Sequence, residues 1–269
     1  MTSTVPEQTI LTRMEAGAAW ITLNRPASMN AFAGSMREDL CEAIEAAAQD
    51  PVVRVIVLTG TGSAFCAGAD VNAMADLLAA DDTDAFGRNV EAGMRVARAI
   101  AAAKQPVLAA LNGVAVGAGA SLAIACDLRI ASDHARIGFT FNRIGLHPDW
   151  GATYFLPRLV GSGRAAELIL TARIVDAAEA ERLGIVEMVV PHADFPDRVA
   201  ALARELAQKP PLALSTAKRS LASAAGRNGS LEAALQTEAE AQMLCFASSD
   251  VREGIAAFRE KRQARFTGR

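Results

Sequence analysis

The stretch Val52-Val53-Arg54-Val55-Ile56-Val57-Leu58 is a β-branched run, the pattern of a strand covered on both faces. A chain that contains such a strand must build layers around it. On its N-terminal side, Ser35 with Glu38 three residues on reads as a capping box. Met36, Leu40, Ala43, Ile44 and Ala47 then recur at helical spacing until Asp50-Pro51 stops the helix. Further back, Ala18 to Leu23 reads as a strand that ends at the turn signal Asn24-Arg25-Pro26. Strand, covering helix and buried strand make a crossover unit. The same order returns as Pro106 to Leu111 (strand), Gly117 to Cys126 (helix) and Asp127 to Ala131 (strand), so the expected class is α/β.

After about residue 195 the strand signals stop. Segments 196–209, 211–225, 230–247 and 249–265 have helical spacing, broken at Pro210-Pro211, at Gly226 to Gly229 and at Ser248-Ser249-Asp250. This divides the chain into a core, 1–195, and a helical C-terminal region, 196–269. In that region Leu231, Leu235, Met243 and Leu244 fall at helical spacing and need a surface to pack on, which points to self-association.

Composition excludes several function classes. With Lys+Arg 27 against Asp+Glu 30 the chain carries a formal charge of -3, and it has no basic block suited to a phosphate backbone, so a nucleic-acid partner is not expected. The longest apolar runs are interrupted and fall short of the roughly 20 residues a membrane span needs. The first seven residues look like neither a secretory signal nor an organelle transit peptide. Cys41, Cys66, Cys126 and Cys245 are widely spaced and form no CxxC pair, which reads as free thiols in a reducing cytoplasm rather than disulfides or a metal site.

Two loops stand out. Gly60 to Asp70 is a small-residue loop between a buried strand and a helix at Val71 to Leu78, with Asp70 placed to cap that helix. Asn112 to Ser121 repeats the arrangement, leading through glycines into a helix whose N-terminus offers unsatisfied N–H groups and a positive dipole end. Small residues let backbone amides come close to a ligand. Tight turns alone would also explain either loop taken singly.

Together with other blocks in order, the loops resemble the enoyl-CoA hydratase/isomerase (crotonase) family. The matching blocks are Ile21-Thr22-Leu23-Asn24-Arg25-Pro26 with Asn30-Ala31, Phe65 to Asp70, Asn112 to Gly119 with Cys126-Asp127, Leu156 to Gly161, Ala180 to Val186, and Ala257 to Arg262. The resemblance implies a crotonase-like (ClpP/crotonase) spiral of strand-strand-helix units, with the C-terminal region driving homotrimers or hexamers. It implies an acyl-CoA substrate, no metal and no separate cofactor, coenzyme A being part of the substrate. It puts the two amides that hold the thioester oxygen on Ala69 and Ala118, the latter standing where many members have glycine. Coenzyme A contacts are implied at Ala27, Met29, Ala67, Asp70, Val71, Phe258 and Lys261. The last two come from the final helix, often that of a neighbouring subunit, with Lys261 near a phosphate.

Hydratases of the family carry two glutamates. At the matching positions this chain has Ser121 and Phe141. Asp149, in Gly145 to Thr153, falls where dienoyl-CoA isomerases, some ring-modifying acyl-CoA isomerases and 4-chlorobenzoyl-CoA dehalogenase carry a catalytic aspartate. Read by itself, Pro148-Asp149 is a helix start with Asp149 as N-cap. Read with the resemblance, Asp149 is the base or nucleophile, held ionised by helix-start amides. His147 is a loop histidine or a tuner of Asp149. The activity implied is enoyl-CoA isomerisation, with 2-enoyl-CoA hydration and an aspartyl-ester route as alternatives. From other classes, a serine hydrolase triad of Ser121, His134 and Asp127 can be drawn, and so can a non-catalytic acyl-CoA-binding protein.

Overall fold

In the computed structural model the described residues are 8–224 and 230–269, so the expectations for Met1 to Glu7 and for the turn at Gly226 to Gly229 lie outside them. Two sheets are present among those residues. The larger has the order β1-β2-β3-β5-β7-β10, with β1 (Ile10–Glu15), β2 (Ala18–Leu23), β3 (Val55–Gly60), β5 (Val107–Leu111), β7 (Leu128–Ser132) and β10 (Met188–Val190). Only the β1–β2 pair in it is antiparallel. The smaller sheet has the order β4-β6-β8-β9, from β4 (Ala64–Cys66), β6 (Val114–Val116), β8 (Arg136–Gly138) and β9 (Ile174–Asp176).

The helices are α1 (Met36–Gln49), α2 (Val71–Ala79), α3 (Thr83–Ala102), α4 (Ala118–Ala125), α5 (Ala152–Val160), α6 (Ser162–Thr171), α7 (Ala177–Leu183), α8 (Phe195–Ala207), α9 (Pro211–Ala224), α10 (Leu231–Ala247) and α11 (Ser249–Glu260). The chain steps from a strand of the larger sheet to one of the smaller sheet and then out to a helix: β3-β4-α2, β5-β6-α4, β7-β8-α5. This is the strand-strand-helix spiral of the crotonase fold. None of its helices is long and apolar enough to cross a membrane, among the described residues.

The β-branched run is covered on both faces, as its composition requires. Ile56 and Leu58 of β3 pack with Met36, Leu40 and Ile44 of α1 and with Val96 and Ile100 of α3. Val55 and Val57 face the other way, onto Phe195, Val199 and Ala203 of α8. Helix α4 is buried along its whole length, which suits a sequence of small and apolar residues whose one polar side chain, Ser121, bonds to Gly117 O.

Several local expectations are corrected. The strand begins at Val55, because Val52 sits in the turn after Pro51, 61% exposed, with its N–H donated to Asp50 Oδ1. Ser35 precedes α1 but makes no side-chain cap; its hydroxyl donates to Asp39 Oδ2 at 3.0 Å, so the capping box does not form. The last helix stops at Glu260, where Lys261 takes a left-handed φ of 55°, and the chain turns back to donate the Thr267 and Gly268 amides to Asp250. Lys261 therefore ends α11 rather than continuing the face of Phe258.

Candidate active site

The two small-residue loops meet. Phe32 forms a parallel bridge with Ala69: the Phe32 N–H donates to Gly68 O at 2.7 Å, and the Asp70 N–H donates to Phe32 O at 3.0 Å. Alternation along an extended strand leaves the Ala69 N–H pointing the other way, and no acceptor of the described chain takes it up. Ala118 is the first residue of α4, so its N–H is one of the helix's orphan donors. Gly117 supplies the unusual backbone at that corner, with φ 55°, and Ala118 itself avoids positive φ, so the methyl costs nothing there. Between the loops lies Gly68, with φ +89°. A Cβ on it would sit 2.9 Å from Val116 O and 3.3 Å from Ala118 N, so only glycine lets the second loop come this close.

Asp70 caps α2, accepting from the Asn72 and Ala73 amides at 3.1 and 3.4 Å. It also pairs with Arg25 Nη2 at 3.0 Å. Burial pushes its pKa up, but the Arg25 bond and the two amides outweigh this and hold it below the usual aspartate value.

In front of the loops is a cavity of about 780 Å³, walled by α2, α3 and residues 140–151. Asp149 lines it and is not an N-cap. Helix α5 starts three residues later behind Gly151, which has φ 82°, and no side chain caps it. Asp149 Oδ1 is buried without a hydrogen-bond partner among the described residues. Burial raises the Asp149 pKa to about 6, against the opposing charges of Arg37 and His147 and the pull of its own amide. The expectation that helix-start amides hold it well ionised is thus overturned, because the helix start is elsewhere.

Trp150 explains the placement. It takes a left-handed φ of 53°, rare and strained for a bulky residue, and is 2% exposed. Its ring lies 4.7 Å from that of Phe32, and its Nε1 lies 2.0 Å from where a Gly93 Cβ would be. The indole is held between Gly93 of α3 and Phe32, which bridges to the first amide loop at Ala69, and Asp149 beside it lines the cavity.

The remaining expected positions fall as follows. Phe141 lines the cavity, whereas Ser121 is fully buried with its hydroxyl on Gly117 O at 3.3 Å. The drawn triad does not assemble: Asp127 accepts from the Val107 amide and pairs with Lys218, and His134 stacks on His192. His147 is exposed, with Nδ1 2.7 Å from Pro148 O. Ala67, Asp70 and Val71 lie on the cavity wall. Ala27 is in the exposed 3-10 turn Pro26–Ser28, and Met29 after it is joined to the first loop by the Ala67 N–H donating to Met29 O at 2.9 Å. Phe258, 85% exposed, and Lys261 are on the far helix and do not reach this cavity within one chain.

Two wall residues escape a sequence reading: Arg37, 7% exposed, and Asn89 of α3. The signal for Arg37 was present, since 37, 41 and 44 share the apolar stripe of α1.

The family model for enoyl-CoA hydratase/isomerase matches residues 13–269. The chain belongs to this family. It is 42% identical to a probable enoyl-CoA hydratase of Rhodobacter capsulatus, over 97% of this chain and 98% of that one. It is 37% identical to 1,2-epoxyphenylacetyl-CoA isomerase of Escherichia coli, with the same coverage. The crystal structure of an enoyl-CoA hydratase from Bacillus anthracis superposes with a TM-score of 0.92 at 34% identity, covering 97% of this chain and all of the other. Members of the enoyl-CoA hydratase/isomerase family thus share this fold closely while bearing names for different reactions.

Proposed function

We propose that this family member is an enoyl-CoA isomerase in which Asp149 moves the proton and the N–H groups of Ala69 and Ala118 hold the thioester oxygen. The observation that carries the reading is the contrast between the two carboxylates on the cavity wall. Asp70 is committed to Arg25 and to the cap of α2, while Asp149 has a buried oxygen with no partner among the described residues and a pKa raised to about 6. A base poised near the working pH combines availability with proton affinity. The carboxylate takes a proton from the carbon next to the thioester, negative charge moves onto the thioester oxygen, and the two amides stabilise it. Losing one such donor typically costs about 10²–10³ in rate. The carboxylic acid then returns the proton further along the chain as the double bond shifts, leaving Asp149 ionised again.

Ser121 and Phe141, at the positions where the resemblance places the hydratase glutamates, support isomerisation over hydration. Hydration is the second reading, favoured by the hydratase name of the Rhodobacter relative. Incubation with 2-enoyl- and 3-enoyl-CoA thioesters in D₂O, read by mass spectrometry, decides between them. Deuterium uptake with double-bond migration is expected; faster addition of water overturns the assignment.

We also propose that α10 and α11 carry the contact surface of a homotrimer or hexamer, with coenzyme A approached by Phe258 and Lys261 of a neighbouring copy. Leu231, Met243, Phe246 and Phe258 are each at least 66% exposed in one chain, a density of large apolar side chains that single-chain packing leaves uncovered. Light scattering at micromolar concentration should give a trimer or a multiple of it.

A further inference from the structure

The cavity that faces the two amides is apolar over most of its wall, with Phe32, Leu77, Phe86, Val90, Met94 and Trp150 among its residues. Into that wall is set the guanidinium of Arg37, on a residue 7% exposed. Its hydrogen bonding is sparse among the described residues: Nη1 donates to Asn89 Oδ1 at a long 3.4 Å, and the Cζ lies 5.4 Å from the Phe32 ring centroid. The carboxylates whose charge it feels, Asp149 and Glu38, form no ion pair with it. A guanidinium has five N–H donors, and Asn89, bonded through its oxygen, keeps two more on its amide nitrogen. A buried charge held with so few partners is expensive, and a bound group that supplies an acceptor relieves that cost.

We propose that Arg37 and Asn89 form a donor pair that recognises an acceptor oxygen on the acyl chain, so that the preferred substrates carry a carbonyl or carboxylate beyond the thioester. The inference rests on the acyl-CoA reading given above and adds the substrate class. Planar, forked donors match a carbonyl-type oxygen better than a point charge does, which is why an arginine beside an amide suits this task. A purely hydrocarbon chain in the cavity would offer neither group an acceptor, and sites built around hydrogen-bond donors discriminate against ligands that lack the matching atom.

The test uses the full-length protein and three 3-enoyl-CoA substrates at each of several chain lengths: the plain hydrocarbon, the isostere ending in a carboxylate, and the isostere ending in a carboxamide. At one or more lengths the wild type should favour an oxygenated isostere by at least about tenfold in kcat/KM, mainly through KM. A carboxylate preference identifies an anionic group, and equal preference for the amide identifies a neutral oxygen. Arg37→Met should bring the ratio of oxygenated to plain substrate close to one, and Asn89→Leu should lower it part-way. Any effect of Arg37 on Asp149 falls on both substrates and cancels in the ratio. If Arg37→Met does not fold, as a melting curve will show, Asn89→Leu and the charge-keeping Arg37→Lys carry the test, since both should lower the ratio. Turnover of the plain substrate with no oxygen preference at any length overturns this proposal and leaves the acyl-CoA reading standing. A preference that survives in every folded variant also overturns it. Failure of every thioester to bind the wild type overturns the acyl-CoA reading as well.

Discussion

Asp70 and Asp149 sit on the wall of the same cavity and are built for opposite ends. Asp70 is enclosed by donors: two α2 amides and the Arg25 guanidinium at 3.0 Å. Asp149 lies on the cavity wall in the field of Arg37 and His147, and its buried Oδ1 has no partner among the described residues. The first environment lowers a pKa and the second raises one, to about 6. A carboxylate supplied with donors shapes the protein; a carboxylate denied them keeps its affinity for a proton and can react.

The sharpest way to break this contrast is Asp149→Asn. Turnover should fall on the order of 10²–10⁴, the usual worth of a positioned general base, with thioester binding little changed. Near-normal turnover would show that proton transfer lies elsewhere. Next in size is the pH profile: kcat/KM should be level above pH 7 and fall close to tenfold per unit well below the Asp149 value of about 6. A profile level down to pH 4.5 would place the ionisation on another group.

Asp70→Ala probes the other side. Loss of the cap alone costs about 0.5–2 kcal/mol, enough to lower Tm by several degrees. Turnover should drop far less than in Asp149→Asn, and a larger drop would invert the assigned roles. A last effect touches stability alone: the pH-dependent cost of keeping Asp149 unsatisfied. Because its folded pKa is raised above the unfolded value near 3.8, the associated stabilisation is complete below pH 4 and is lost as pH rises through 6. Asp149→Asn escapes that loss, so relative to wild type its Tm should rise by roughly 5–10 °C between pH 4 and pH 7.5.

What could be read from the sequence follows the range of the forces involved. The Asp70 cap, the β3 run and α1 were legible because each is decided by residues within a turn or two. Asp149 looked like a cap for the same local reason. The entry to α5 is instead set by Trp150, held in a left-handed conformation by Gly93 of α3 and by Phe32, residues more than 50 positions away. The strands β4, β6 and β8 are three residues each and too short to show a period, so the smaller sheet came only through the family resemblance. Arg37 shares the apolar stripe of α1 with Cys41 and Ile44, but on an amphipathic helix a charge argues for the solvent face, so its position and its charge point opposite ways until the cavity is seen.

The close contact at Gly68 bears on how such a protein can be re-engineered. A single added carbon there would collide with Val116 O, and one at Gly119 would lie 2.1 Å from Cys66 O. The amide cradle is therefore nearly closed to variation, whereas Leu77, Phe86, Val90 and Ile144 line the same chamber from elements with room to change. A mutant library meant to retrain the enzyme on new acyl groups should leave 66–69 and 117–119 fixed and draw all its diversity from that opposite wall.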